Sequence, residues 1–257
     1  MKGVSISLPF GARGRDLAAM LKRAFDIALP GQCALCGNVS HGVLCAGCDA
    51  QYWNEPRLRC ATCALPLRTE YTRRDRDDVR LHCTACLENP PAFNDTLALA
   101  DYRAPLDLLA VELKFRGRLA AGAEFARHLH TLFEDSNLPM PDVIAPVPLS
   151  SKRLIARGYN QAWTIARPLA RLLGTRANAT LVKRVTHTAP QSKLDIDTRR
   201  RNVANAFQVT EDVRGKHIGI VDDVMTSGAT LDALARTLKL AGARRVTNFV
   251  ALRTPQD

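Results

Sequence analysis

His217-Ile-Gly-Ile-Val-Asp-Asp-Val-Met-Thr-Ser-Gly-Ala-Thr230 is the stretch that decides how this chain is read. A short apolar run ends in two adjacent carboxylates, Asp222 and Asp223. A loop of small residues follows, and then a helical pattern with apolar positions at Leu231, Leu234, Ala235, Leu238 and Ala241. Each part suits a different piece of a phosphorylated sugar. Thr226, Ser227, Gly228, Ala229 and Thr230 are small enough for backbone N–H groups to close on an anion. A helix starting near Ala229 adds its positive end and unpaired donors. The two carboxylates would repel a phosphate. They suit the hydroxyls of a neutral diol, or Mg²⁺ held through water.

Other readings of the same run are weaker. A strand ending in acids also occurs beside a G-x-x-x-x-G-K-[ST] loop, and no such loop is present: Gly215-Lys216 is followed by His217. An acidic pair of the response-regulator type belongs at the first strand of its domain, whereas only about 35 residues follow Asp222. An ordinary buried strand and turn does not call for two acids, three hydroxyls and a glycine in this order.

The chain has 257 residues, enough for one large and one small domain, and an ordinary apolar fraction. Thirty-six Lys and Arg against 25 Asp and Glu give +11. That balance favours anionic partners (phosphates, nucleic acid or a membrane surface), though solubility alone is a sufficient reason for it. No run reaches the roughly 18–20 apolar residues of a membrane span. No signal-peptide core with a cleavage site is expected at the N-terminus. Leu17, Met20, Leu21, Ala24, Phe25 and Ala28 give Asp16–Leu29 an amphipathic helical pattern. It is read as packing on the next domain, with peripheral membrane contact as the alternative.

All eight cysteines fall in C-x-x-C pairs: Cys33/Cys36, Cys45/Cys48, Cys60/Cys63 and Cys83/Cys86. Two such knuckles make one tetrahedral Cys₄ site, so four predict two structural zinc ions. Sequence order groups Cys33, Cys36, Cys45 and Cys48, then Cys60, Cys63, Cys83 and Cys86. A secreted disulfide domain would need an export signal. Redox C-x-x-C motifs occur singly at a helix start. Four thiolates leave no open coordination position, so these zincs are expected to supply folding energy and no chemistry. His41 and His82 adjoin clusters whose ligand count is already complete.

Three segments follow from these patterns: a helical lead-in over 1–30, a double zinc ribbon over 31–90, and an α/β domain over 91–257 that begins after Asn89-Pro90-Pro91. The charged stretch Tyr71–Arg80 reads as a solvated loop tip. Beyond the prolines, strands are predicted at Thr96–Tyr102, Asp142–Val147, Thr180–Val185, Lys216–Val221 and Val246–Leu252. Helices are predicted at Pro105–Phe115, Leu119–Phe133 and Lys152–Leu173, the last stopped by Gly174. The alternation predicts an α/β fold with a mostly parallel sheet flanked by helices, whose ligands sit at the carboxyl ends of the strands. Two cationic segments join the acidic pair as candidates. Ser150, Ser151, Lys152 and Arg153 follow the 142–148 strand and suit a pyrophosphate, or form a basic helix start. The 187–202 segment contains Lys193 and Arg199, has no clear periodicity, and reads as a second anion-binding segment or as an exposed basic helix start.

Ile218–Thr230 resembles the 5-phosphoribosyl 1-pyrophosphate (PRPP) motif of type I phosphoribosyltransferases, with Gly219, Ser227 and Ala229 as departures that keep the loop small. The resemblance implies that Asp222 and Asp223 bind the ribose hydroxyls with Mg²⁺, and that Thr226–Thr230 binds the 5′-phosphate. It also implies a pyrophosphate loop at Ser150–Arg153, and a mobile loop over 187–202 whose Lys193 and Arg199 clamp the pyrophosphate as water is excluded.

A broader resemblance covers almost the whole chain. It runs through the twin knuckles, Leu113-Lys114-Phe115-Arg116-Gly117, Pro146-Val147-Pro148-Leu149, Arg157-Gly158-Tyr159-Asn160-Gln161-Ala162, Pro190-Gln191, Arg201-Asn202-Val203 and Val221–Thr230. This order resembles the ComF/GntX (competence protein F) family, in which a double zinc ribbon precedes a phosphoribosyltransferase domain; Tyr159 stands where the family often has Phe. The resemblance implies a part in natural transformation, handling incoming single-stranded DNA, with competence-machinery proteins as partners. It implies a cytoplasmic location with peripheral contact at the inner membrane. Phosphoribosyl transfer to an acceptor, PRPP sensing without turnover, and single-stranded DNA binding all stay open, and no segment names an acceptor.

Overall fold

Apolar runs that are not broken by alternating polar residues make strands covered on both faces. The computed structural model describes residues 31–53, 58–67, 80–115, 117–185 and 206–255. The helix expected over 16–29, most of the 71–80 stretch, and Lys193 and Arg199 lie outside the described residues. Two compact units divide at Gln51/Tyr52.

In the first unit, a hairpin of two-residue strands, β1 (Gly31–Gln32) and β2 (Val39–Ser40), is followed by α1 (Ala46–Tyr52), which runs to the boundary. The second unit begins with the second cysteine cluster and α2 (Thr84–Glu88). It continues with β3 (Asp95–Asp101), α3 (Asp107–Phe115), α4 (Ala120–Glu134), β4 (Val143–Pro146), α5 (Ser151–Arg157), α6 (Gln161–Leu172), β5 (Arg176–Ala177), β6 (Val182–Arg184), β7 (Phe207–Val209), β8 (His217–Met225), α7 (Ala229–Leu240) and β9 (Arg245–Arg253). Five strands form one sheet in the order β3-β9-β8-β4-β5, and every pair in it is parallel. This is the α/β architecture that the strand–helix alternation predicts.

Side-chain alternation assigns the two faces. Ile218, Ile220, Val143, Ala145, Val246 and Val250 point into a cluster shared with Leu231, Leu234 and Leu238 of α7 and with Cys60, Cys63 and Ala64. On the opposite face Phe249 meets Phe133 of α4, ring centroids 5.7 Å apart. Gly219 fits here because a Cβ would lie 2.3 Å from Ile144 Cδ1 and 3.0 Å from the Phe249 ring. Helices α4 and α6 cross closely at Gly122, where a Cβ would come within 2.8 Å of the Thr164 carbonyl oxygen.

Two expectations are corrected. The single helix predicted over 152–173 is two helices. Gly158 ends α5 in the left-handed region (φ 77°), and Asn160 restarts the chain as the cap of α6, accepting from the Ala162 amide at 2.9 Å. The strand predicted at 180–185 is β6, which leaves the main sheet and pairs antiparallel with β7. Periodicity reports a strand's exposure, not its partner. Among the described residues no helix is long and apolar enough to cross a membrane.

Candidate functional site

Parallel strands deliver their carboxyl ends to one edge. β4 and β8 are neighbours in register, Pro146 opposite Val221, so the segments following both arrive side by side. β8 is longer than its apolar run and carries both acids within the strand. Asp223 is 2% exposed, while Asp222 keeps a window to solvent. The Asp223 amide donates to Asp222 Oδ1 at 3.0 Å. Lys114 Nζ, from the end of α3, lies 2.8 Å from Asp223 Oδ2, and Gln161 Nε2, from the start of α6, donates to Oδ1 at 3.4 Å. Burial first, and then the neighbouring Asp223 carboxylate, push the Asp222 carboxyl well above its ordinary pKa; the Asp223 amide and the Lys114 ammonium oppose them. A carboxylate pair held this way gains from anything that brings hydroxyl donors or a cation.

After Met225 the chain enters the small-residue loop. Gly228 takes φ 82°, where a side chain would be strained and a Cβ would meet Met225 Cε at 2.6 Å. Thr226, Ser227, Ala229 and Thr230 are exposed, and α7 begins at Ala229 with its amides toward the loop. The Ala229 amide donates to Ser227 Oγ at 3.4 Å, and an anion there would meet the other amides of the first turn.

Ser150 caps α5, its Oγ accepting from the Arg153 amide at 3.4 Å. Ser151, Lys152 and Arg153 are exposed on α5. Arg153 joins Lys114, Phe115, Gly117, Ala156, Arg157 and Tyr159 around a cavity of about 400 Å³. Three cations therefore line a space that reaches Asp223 through Lys114. Arg157 donates to Gln161 Oε1 and stands over the exposed Phe115 ring, 5.5 Å from its centroid, while Tyr159 donates to the Leu113 carbonyl. Lys114, Arg157 and Gln161 are site members for which the residue patterns alone assign no role. They sit within the Leu113–Gly117 and Arg157–Ala162 runs, so the signal lay in the motifs and not in periodicity.

The cysteines form the two groups predicted, Cys33, Cys36, Cys45, Cys48 and Cys60, Cys63, Cys83, Cys86, with ligand atoms in each within 4.8 Å of one another. Cys36 and Cys45 sulfurs are 3.6 Å apart, as are those of Cys63 and Cys83. A tetrahedral Zn–S site needs sulfurs about 3.8 Å apart, whereas a disulfide needs about 2.05 Å. The donor set therefore fits zinc. In the second cluster the Cys63 thiol lowers Cys60 to about 4 against burial, and the same contact raises Cys63. Four neighbouring sulfurs cannot all ionise without a cation among them.

Arg253, at the end of β9, is 1% exposed and signals nothing in the sequence. Its Nε donates to the Cys63 carbonyl at 2.9 Å. Its Nη1 donates to the carbonyls of Met225 at 3.1 Å, Thr254 at 2.8 Å, and Thr226.

A family model described as Phosphoribosyl transferase domain matches residues 160–257. The DNA utilization protein YhgH of Salmonella typhi is 36% identical over 235 residues, which cover 89% of this chain and 99% of that protein. Competence protein F of Haemophilus influenzae is 31% identical over 216 residues, 81% of this chain and 90% of that one. Competence protein ComFC of Bacillus subtilis is 25% identical over 245 residues, 85% and 98% respectively.

Proposed function

We propose that this chain, which belongs to the ComF family of competence and DNA-utilization proteins and carries a type I phosphoribosyltransferase-like domain, binds PRPP with Mg²⁺ at the carboxyl end of its parallel sheet. The observation that carries the reading is the convergence on Asp223. A carboxylate pair, a small-residue helix-capped loop and a cavity lined by Lys114, Arg153 and Arg157 meet at one sheet edge. The three parts match, in charge, the diol, the 5′-phosphate and the pyrophosphate of one molecule.

In this reading Asp222 and Asp223 accept from the ribose hydroxyls, and Asp222, the more open of the two, holds Mg²⁺ directly or through water. Thr226–Thr230 takes the 5′-phosphate with backbone amides and hydroxyls. Lys114, Arg153 and Arg157 offset the charge on pyrophosphate, with Ser150, Ser151 and Lys152 at the rim and Lys193 and Arg199 as clamps. Pentosyl transfer is the reaction these groups would serve, since cations at the leaving pyrophosphate and carboxylates beside the sugar both stabilise charge that develops as the C1–O bond breaks. The two zinc ions hold the cysteine clusters. The relatives' names and the +11 charge support use of this chemistry in DNA handling.

Calorimetry with PRPP and Mg²⁺ tests the site. Wild type is expected to bind, and Asp222→Ala/Asp223→Ala to lose the binding heat with its circular dichroism unchanged. A double variant that binds as wild type does would sink the reading. Pyrophosphate release in the presence of candidate acceptors then separates turnover from sensing.

A further inference from the structure

A guanidinium shut away from water must place its donors on acceptors, because an unpaired buried charge is strongly unfavourable. The largest fully buried side chain among the described residues, Arg253, does this mainly on backbone carbonyls; besides its chain neighbour Thr254, they come from two places distant in the sequence. On one side is Cys63, inside the first knuckle of the second cysteine cluster. On the other are Met225 and Thr226, the end of β8 and the first residue of the small-residue loop. One rigid planar group thus spans from a sulfur site to the loop.

Little slack exists around it. Cys60, Cys63 and Ala64 share an apolar cluster with Met225 and with Leu231 of α7. Dense packing of this kind passes a displacement on instead of absorbing it. Other struts hold the knuckle to the sheet independently of any metal. The Thr96 amide donates to the Ala61 carbonyl at 3.1 Å, and Arg59 donates to the Ala64 carbonyl at 3.1 Å while pairing with Asp101 at 2.9 Å.

We infer that Arg253 is a positioning residue for the Thr226–Thr230 loop, and that metal occupancy of the Cys60/Cys63/Cys83/Cys86 site controls, through Arg253, how firmly that loop holds a sugar phosphate. The ligand half of this statement rests on the PRPP reading above; the coupling of cluster to loop does not. With a divalent metal bound, four sulfurs lock the Cys60–Cys63 turn against Cys83 and Cys86, and the Cys63 carbonyl stays where Nε meets it. The tetrathiolate centre is also net negative, which favours the guanidinium beside it. When the metal leaves, the turn relaxes on its remaining struts and Nε loses its acceptor. The guanidinium then shifts, and the Thr226 carbonyl is no longer pinned. The second zinc is therefore a control on the phosphate loop as well as a staple.

Hydrogen exchange on the full chain, read at 225–230 and at α4 as reference, tests this together with PRPP–Mg²⁺ calorimetry and metal content by mass spectrometry. Loss of one charge-assisted hydrogen bond predicts about tenfold faster exchange at 225–230 and about tenfold weaker PRPP binding. That result is expected after chelation of zinc and in Cys86→Ser, with α4 still protected. Cys36→Ser, in the other cluster, is expected to leave the loop at its wild-type rate. Arg253→Lys keeps the charge but cannot span both sets of carbonyls, so it should loosen the loop while the zinc content stays unchanged. Unchanged exchange at 225–230 on zinc loss overturns the inference. So does equal loosening of α4, which would make the metal a staple for the whole unit and nothing more. If metal-loaded wild type takes no PRPP while the exchange response persists, the ligand reading falls and the coupling stands.

Discussion

Asp222 shows how a group given a binding role in the proposed reading opposes the stability of the empty protein. A carboxyl whose folded pKa is raised contributes fully only below its unfolded value of about 3.9, and that contribution is lost as pH rises through the folded pKa. Burial and the Asp223 charge give Asp222 such a raised value. Asp222→Asn should therefore melt higher than unliganded wild type at pH 7–8, by about 2–4 °C for a domain of this size. The gap should close as pH falls toward 4, and PRPP binding should be lost; thermal melts across pH check the sign. Lys114→Met acts the other way. It leaves the nearly buried Asp223 carboxylate without its ammonium partner, and should lower stability by about 1–3 kcal/mol in denaturant unfolding, the partial exposure of Lys114 moderating the loss. Both aspartates were legible because an acid pair ending an apolar run is locally odd. Lys114 was not, because its meaning depends on a partner more than a hundred positions away.

At the scale of elements, the strand–loop–helix unit of β8 and α7 follows from local pattern alone: apolar run, small residues, then 3.6-residue periodicity. The break between α5 and α6 does not, since the apolar spacing runs straight through it. Gly158 and Asn160 decide it, one by taking a left-handed conformation and the other by capping. Asn160 also donates to the Val147 carbonyl at 3.0 Å, tying α6 to the chain leaving β4. Asn160→Ala should cost about 1 kcal/mol or somewhat more, measurable in urea unfolding. Gly122→Val tests the α4–α6 crossing. A branched side chain against the Thr164 carbonyl must push the helices apart, and should cost about 1–3 kcal/mol with no direct contact to the acidic pair.

For the whole molecule, the cysteine clusters belong to different compact units: Cys33–Cys48 lies in the first, and Cys60–Cys86 shares a core with the parallel sheet. Metal analysis of the purified chain should find about two zinc ions, and Cys36→Ser should remove about one of them. Melting after removal of the second ion should fall further than after removal of the first, because that cluster is built into the larger core. By itself the sequence determined the α/β class, the pairing of the knuckles and the position of the acidic pair before a phosphate-sized loop. These are local signals, carried by residues within a few positions of one another. Only the tertiary structure decided that Lys114 faces Asp223, that three cations surround one cavity, and that Arg253 joins a cysteine knuckle to the loop. Such contacts join residues distant in the chain: burial makes Asp223 and Arg253 find partners, and the packing of α3 beside α5 brings the cations to one cavity.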